Sequence, residues 1–175
     1  VLVGEIGDEQ GGSRLLKVCH GRKEGLPPRL DLEKEIGVQN AVRACIQAGT
    51  VRSAHDCSEG GLSVALAESC FNPDGLLGAK IELPASELRH DQILFNESQS
   101  RIVLSVAPAD VAALQEKLQT ADVRFQILGT VGGDELSIRI DKNSRHWPIA
   151  ELHDAWFHAI ARALESDSSV ERVSN

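Results

Sequence analysis

Two short polar runs in this chain gather acids, hydroxyls, amides and glycines where chemistry could be done. The first is His55-Asp56-Cys57-Ser58-Glu59-Gly60-Gly61-Leu62, at the point where an apolar strand gives way to an apolar helix. A helix start offers unpaired N–H groups and a positive dipole end to an anion, and a carboxylate beside it can hold a divalent cation. Ser58, Gly60 and Gly61 are therefore candidates for binding a phosphate, or a nucleotide through its phosphates, and Asp56 for holding a metal. The same residues also suit a plain helix start, with Asp56 or Ser58 as the cap and the glycines turning the chain. His55 fits a hydrogen-bonded core histidine better than a base.

The second run is Phe95-Asn96-Glu97-Ser98-Gln99-Ser100-Arg101, between a helix and an apolar strand. Glu97, Ser98 and Gln99 together could grip a polar ligand. The competing reading is a helix C-terminal turn in which Glu97 pairs with Arg101. A third feature, the glycine-rich 7–13 loop with Gly11 and Gly12, resembles a phosphate cradle loosely. It has neither the Lys-Ser/Thr of a P-loop nor the three-glycine dinucleotide pattern, which favours a plain flexible loop. His153 and His158 are five apart, off the spacing that places two metal ligands on one helix face. No catalytic side chain is assigned, because nucleophilic triads are joined in space rather than along the chain.

The elements that must position these runs follow from periodicity and turn residues. The pattern predicts a strand over 1–5, a second possible strand over 15–18, and a linker closed by Pro27-Pro28. A helix over 32–48 follows, capped by Asp31 and ended by Gly49, with Val38, Val42, Cys45 and Ile46 at helical spacing. A buried strand over 50–54 leads into the first polar run, which opens a helix to about Cys70 with Leu62, Ala65, Leu66 and Ser69 on one face. Asn72-Pro73-Asp74-Gly75 reads as a turn, 79–83 as a strand, and 86–94 as a short helix capped by Ser86. The 101–106 segment is apolar almost throughout, as a strand covered on both faces would be. Pro108 starts a helix to about Leu118, and 123–130 with 135–140 flank Gly132-Gly133 as a hairpin. A last helix over 149–164 carries Leu152, Trp156, Ile160 and Ala163 on one stripe. The pattern as a whole predicts an α+β fold, a mixed β-sheet covered by helices, over 1–165, with a polar, frayed tail over 166–175.

Composition narrows the function. A chain of 175 residues with 42% hydrophobic content can bury a core without disulfides. The net charge of -8 argues against a nucleic-acid partner, which is held mainly by Lys and Arg. No apolar run approaches the roughly 20 residues of a spanning helix and no signal peptide opens the chain, so a membrane partner is not expected and a cytoplasmic location is. The four cysteines form no CxxC pair, as free thiols packed like small apolar residues would not. The chain holds no Met and opens in a strand, which suggests a piece of a longer polypeptide.

The ordered motifs resemble one family. The run from Ala54 to Ser69, the segment Leu94-Phe95-Asn96-Glu97-Ser98-Gln99-Ser100-Arg101, the opening Gly4-Glu5 with the residues from Asp8 to Ser13, Pro27-Pro28 with Leu30-Asp31-Leu32-Glu33, and Leu152-His153-Asp154-Ala155-Trp156 resemble phosphoribosylformylglycinamidine synthase. The likeness runs from about residue 2 to about residue 164 and points to the synthetase subunit of the small bacterial type. The resemblance implies the last, aminoimidazole ribonucleotide synthetase-like C-terminal domain of a longer synthetase, inactive by itself. It implies a purine-biosynthesis ligase that uses ATP, Mg2+ and ammonia from glutamine. Implied partners are the N-terminal domains of the same synthetase, a glutaminase subunit and a small bridging subunit. By motif, Asp56 would bind metal and Glu97, Ser98 and Gln99 would contact substrate. A non-catalytic scaffold or auxiliary nucleotide site is the alternative role.

Overall fold

A computed structural model of the chain describes residues 1–72 and 74–171, with side chains described as far as residue 165. Its strands form two four-stranded sheets, where the sequence predicts one mixed sheet. In the first, β2 (Ser53–Asp56), β4 (Ile102–Ser105), β1 (Leu2–Val3) and β5 (Phe125–Gln126) lie side by side, each antiparallel to its neighbour. In the second, the order is β6 (Gly129–Val131), β3 (Ala79–Leu83), β7 (Glu135–Ile140) and β8 (Asn143–Pro148), with β3 and β7 parallel. The helices are α1 (Arg14–His20), α2 (Leu32–Gln47), α3 (Gly61–Ser69), α4 (His90–Phe95), α5 (Val111–Thr120), α6 (Ile149–Phe157) and α7 (Ala159–Glu171). The α+β class is as the sequence predicts.

Strand alternation explains why the first sheet is covered twice. Leu2 and Val103 point into a core shared with Leu62, Leu66, Ile81 and Leu136. Their neighbours Val3 and Leu104 point the other way, into a second core with Val38, Val42 and Cys45 of α2 and Leu114 and Leu118 of α5. The apolar 101–106 segment is thus sandwiched, as its composition predicts. Asp31 caps α2 by accepting the N–H groups of Glu33 and Lys34, both at 3.1 Å. Gly49 ends it in a left-handed turn, with Thr50 N–H reaching back to the Cys45 carbonyl at 3.2 Å.

Several elements differ from expectation for local reasons. The 15–18 segment lies within helix α1, because Ser13 caps it by accepting the Leu16 N–H and left-handed Gly21 closes it. The strand expected over 50–54 is β2, an exposed edge strand three residues further on, since Thr50 still belongs to the end of α2. The helix expected from Ser86 starts at His90, and the Ser86 hydroxyl serves a turn by accepting the Leu88 N–H. Pro108 opens a 3₁₀ turn that leads into α5. The 123–140 hairpin does not form. Instead β6 and β7 flank β3 on opposite sides, because Gly132 and Gly133 wrap over Gly78 through two backbone bonds of 2.7 and 2.8 Å. The strand β8 has no counterpart in the sequence reading, being a polar edge reached through a turn at left-handed Asp141.

The final helix breaks at His158, and α7 continues to Glu171, into the segment expected to be frayed. Of its expected stripe, Trp156 and Ile160 are exposed. Ile46 and Ser69 also face outward from α2 and α3. Pro73 of the expected 72–75 turn and residues 172–175 of the tail lie outside the described residues. The cysteines are unpaired, with Cys45, Cys57 and Cys70 buried and Cys19 exposed on α1. Burial pushes the Cys57 and Cys70 thiols up to about 11.

Candidate functional site

Three segments far apart in sequence meet at Glu97. Its Oε1 accepts the backbone N–H of Gly60 at 2.9 Å and that of Arg14 at 2.8 Å. Gly60 precedes α3 and Arg14 opens α1. One carboxylate oxygen therefore takes an otherwise unpaired donor from the start of each helix, where negative charge is favoured. The Glu97 N–H in turn donates to the Glu9 carbonyl at 3.2 Å. The 7–13 loop, the 55–62 turn and the 95–101 run are thereby brought together.

Local backbone chemistry makes that meeting possible. Gly60 and Gly61 both have left-handed φ, +81° and +63°. A Cβ on Gly61 would collide with the Asn96 carbonyl, so the glycine lets the helix start lie directly on the end of α4. Asn96 is fully buried and closes α4: its Nδ2 donates to the Gln92 carbonyl at 2.6 Å and the Ile93 carbonyl at 3.2 Å, while its Oδ1 accepts the Ser98 N–H at 3.3 Å. Arg101, also buried, donates from Nε to the Ser98 carbonyl at 2.9 Å and from Nη2 to the Asn96 carbonyl at 2.7 Å. It thus holds the two carbonyls flanking Glu97 rather than forming the Glu97 ion pair weighed from the sequence. Burial lowers the Arg101 pKa, against the opposing pull of Cys57, Glu9 and Glu97.

The remaining site candidates divide. Ser98 is buried with its hydroxyl against Gly7, where a Cβ would collide with it. That hydroxyl lacks good hydrogen-bond geometry to any described partner, yet sits close enough to Glu9 to help hold the Glu9 carboxyl down, an effect led by the Arg29 N–H at 2.9 Å. Gln99 is exposed, its side chain folded back to the Glu97 carbonyl at 3.3 Å. Gly11 packs against the Leu26 carbonyl and the Gly12 N–H donates to the Glu24 carbonyl at 2.8 Å. The Gly61 N–H donates to the Ser58 carbonyl at 3.0 Å. With Gly60 given to Glu97, the amides of Gly12, Gly60 and Gly61 are all engaged by the protein's own acceptors.

Asp56 ends β2, exposed, and its Oδ2 accepts the Ser58 hydroxyl. That bond, above all, holds the Asp56 carboxyl below its ordinary range. Because folding lowers this pKa, the associated stabilisation is full above the unfolded value and fades as pH falls through the folded one. Ser58→Ala is expected to move the Asp56 titration up toward the ordinary carboxylate range, read by carboxyl-carbon NMR; an unmoved titration would show that Ser58 is not the cause. Among the described residues no group of three or more His, Cys, Asp or Glu could hold a metal. Asp56 fits a single ligand position on Mg2+, which commonly takes one or two protein carboxylates and completes its shell with water and phosphate.

His55 belongs to a separate tie. Its Nδ1 lies 2.8 Å from the Asp56 carbonyl and its Nε2 3.3 Å from Glu68 Oε2, while Glu68 Oε1 accepts the Trp156 Nε1–H at 3.0 Å. The histidine is hydrogen-bonded within the fold, linking β2, α3 and α6. A cavity of about 700 Å³ opens nearby, lined by Phe71, Leu94, Trp147 and Trp156 among others. None of the predicted site residues lines it, and its largely apolar wall suits another surface better than a phosphate. Sequence reasoning missed Arg14, which no local pattern marks. It placed Asn96 and Arg101 in the second polar run, but without their role of holding the backbone around Glu97.

The family model for AIR synthase related protein, C-terminal domain, matches residues 1–141. The chain is 50% identical over 161 residues to phosphoribosylformylglycinamidine synthase subunit PurL of Moorella thermoacetica, covering 91% of this chain and 22% of that protein. To the same subunit of Synechocystis it is 44% identical over 164 residues, covering 91% of this chain and 21% of that one. The solved structure of T. maritima PurL complexed with FGAR superposes with a TM-score of 0.72 at 19% identity, over 86% of this chain and 27% of that chain, a likeness of fold. The chain spans about a fifth of the length of the curated relatives it matches.

Proposed function

The chain belongs to the family of AIR synthase related protein C-terminal domains, and from that premise we propose that it serves as one domain of a phosphoribosylformylglycinamidine synthase. The observation that carries the proposal is the 50% identity to a PurL subunit across 91% of the chain. The whole enzyme would be a ligase of purine biosynthesis. In its reaction the amide oxygen of formylglycinamide ribonucleotide takes the terminal phosphoryl group of ATP. Ammonia released from glutamine then displaces phosphate, leaving the amidine.

Residues 1–165 would form the domain, soluble in the cytoplasm and joined to N-terminal domains of the same synthetase, with a glutaminase and a small bridging subunit as partners. Mg2+ would neutralise the charge developing on the transferred phosphoryl group. Asp56 would hold it, with the Ser58 hydroxyl fixing its carboxylate. Glu97 and Gln99 would contact substrate from the surface of the 95–101 run, and buried Ser98 would hold that run on the 7–13 loop. Asp56, Glu97 and Gln99 thus act by binding and orientation, and the chain alone would not turn over.

A second reading, a scaffold without ligand contacts, is favoured by one observation: Glu97 Oε1 and the amides of Gly12, Gly60 and Gly61 are already satisfied inside the protein. Gln99→Ala separates the two in the full-length synthetase, because its exposed side chain supports little of the fold. On the first reading the KM for formylglycinamide ribonucleotide rises about tenfold, the loss of roughly 1.4 kcal/mol of substrate binding. Wild-type kinetics in both Gln99→Ala and Asp56→Ala would leave the scaffold.

A further inference from the structure

Arg101 is a costly residue to bury. It is 2% exposed at the head of β4, and taking a guanidinium out of water costs several kcal/mol that an ion pair or dense hydrogen bonding must offset. Here two of its donors go to backbone carbonyls, and Nη1 is buried without a hydrogen-bond partner among the described residues. An apolar side chain would fill the space at lower cost. What an apolar residue cannot do is hold the carbonyls of Asn96 and Ser98 at once, a task that suits the planar fork of a guanidinium. Those two carbonyls bracket Glu97. The backbone of Arg101 is itself fixed, since its carbonyl accepts the Cys57 N–H at 2.9 Å. The preceding Ser100 has left-handed φ, +62°, and its hydroxyl donates to Glu35 Oε2 of α2 at 2.5 Å.

We infer that Arg101 is a positioning residue, whose guanidinium holds the carbonyls of Asn96 and Ser98, the residues on either side of Glu97, and so aims the Glu97 carboxylate. It acts through Glu97 and touches no substrate. Its kinetic consequence rests on the reading that Glu97 contacts substrate; its structural consequence, the alignment of Glu97 with Gly60 and Arg14, does not.

The test uses the full-length synthetase carrying Arg101→Lys, Glu97→Gln and both. Lysine keeps the charge but reaches one carbonyl. Arg101→Lys is expected to raise the KM for formylglycinamide ribonucleotide about tenfold while leaving the KM for ATP within about twofold, and to add nothing in the Glu97→Gln background. It should also speed hydrogen exchange at the Gly60 and Arg14 amides. Independent, multiplying effects of the two substitutions, or unchanged exchange at those amides, would overturn the inference. If Glu97→Gln itself leaves KM unchanged, the substrate reading fails, and the exchange rates alone decide the role of Arg101. Should Arg101→Lys not fold, Arg101→Gln keeps a planar donor for one carbonyl and is read by the same exchange measurement.

Discussion

Gly61→Ala is expected to lower the unfolding free energy by about 3–5 kcal/mol, much of the 5–15 kcal/mol available to a typical domain. Two losses combine. An L-residue held in the left-handed region costs roughly 1–2 kcal/mol, and at Gly61, φ +63°, that penalty is unavoidable. The larger loss is steric: the new methyl would collide with the Asn96 carbonyl, with the Leu94 carbonyl at 3.0 Å behind it. Both are backbone, so no side chain can swing aside and the helix start must lift off the end of α4. Lifting it breaks the Gly60–Glu97 bond, a hydrogen bond to a charged group worth about 1.5–3 kcal/mol. Gly12→Ala is the control, since Gly12 is also left-handed, φ +72°, but has open space around its Cβ position. Urea unfolding of the two variants should show a loss at Gly61 at least twice that at Gly12. Equal losses would mean that backbone conformation, and not the contact with the 94–96 segment, sets the requirement for glycine.

That contact also marks the boundary of what one sequence reveals. The strand β3 is found residue for residue, because Ala79, Ile81 and Leu83 alternate with polar neighbours. The helix α2 is legible because an Asp cap and a closing glycine bound a periodic apolar face. The 15–18 segment reads as a possible strand and folds as part of helix α1, since four residues around Leu15 and Leu16 are too few for period to decide. The hairpin expected around Gly132 fails for a different reason. Its glycines serve a contact with Gly78, more than fifty positions away, and nothing local announces it. The candidate site has the same character. Each polar run is visible in the sequence, but the bonds that join them link Glu97 to Gly60 and Arg14 across 37 and 83 positions. A chain read residue by residue shows the donors and the acceptor without showing that they are spent on one another.

Glu97→Ala should therefore be felt first as a loss of stability, of about 2–4 kcal/mol. Two hydrogen bonds to a charged acceptor, each about 1.5–3 kcal/mol, would sum to about 3–6 kcal/mol if both were buried, and the exposure of one discounts that sum. The Arg14 contact faces solvent, where water can replace the carboxylate, whereas the Gly60 contact is partly buried. Glu97→Gln retains a carbonyl acceptor of similar reach but loses the charge that complements the two helix starts. Its cost should be about half as large, because hydrogen bonds to ionised acceptors are roughly twice as strong as neutral ones. The order wild type, Glu97→Gln, Glu97→Ala in urea midpoint, with exchange at the Gly60 amide rising in the same order, would establish the carboxylate as the bracket between α1 and α3. An alanine variant as stable as wild type would show that these helix starts find water as good a partner. Glu97 would then be free to meet a ligand without cost to the fold, and the substrate-contacting role would gain over the scaffold.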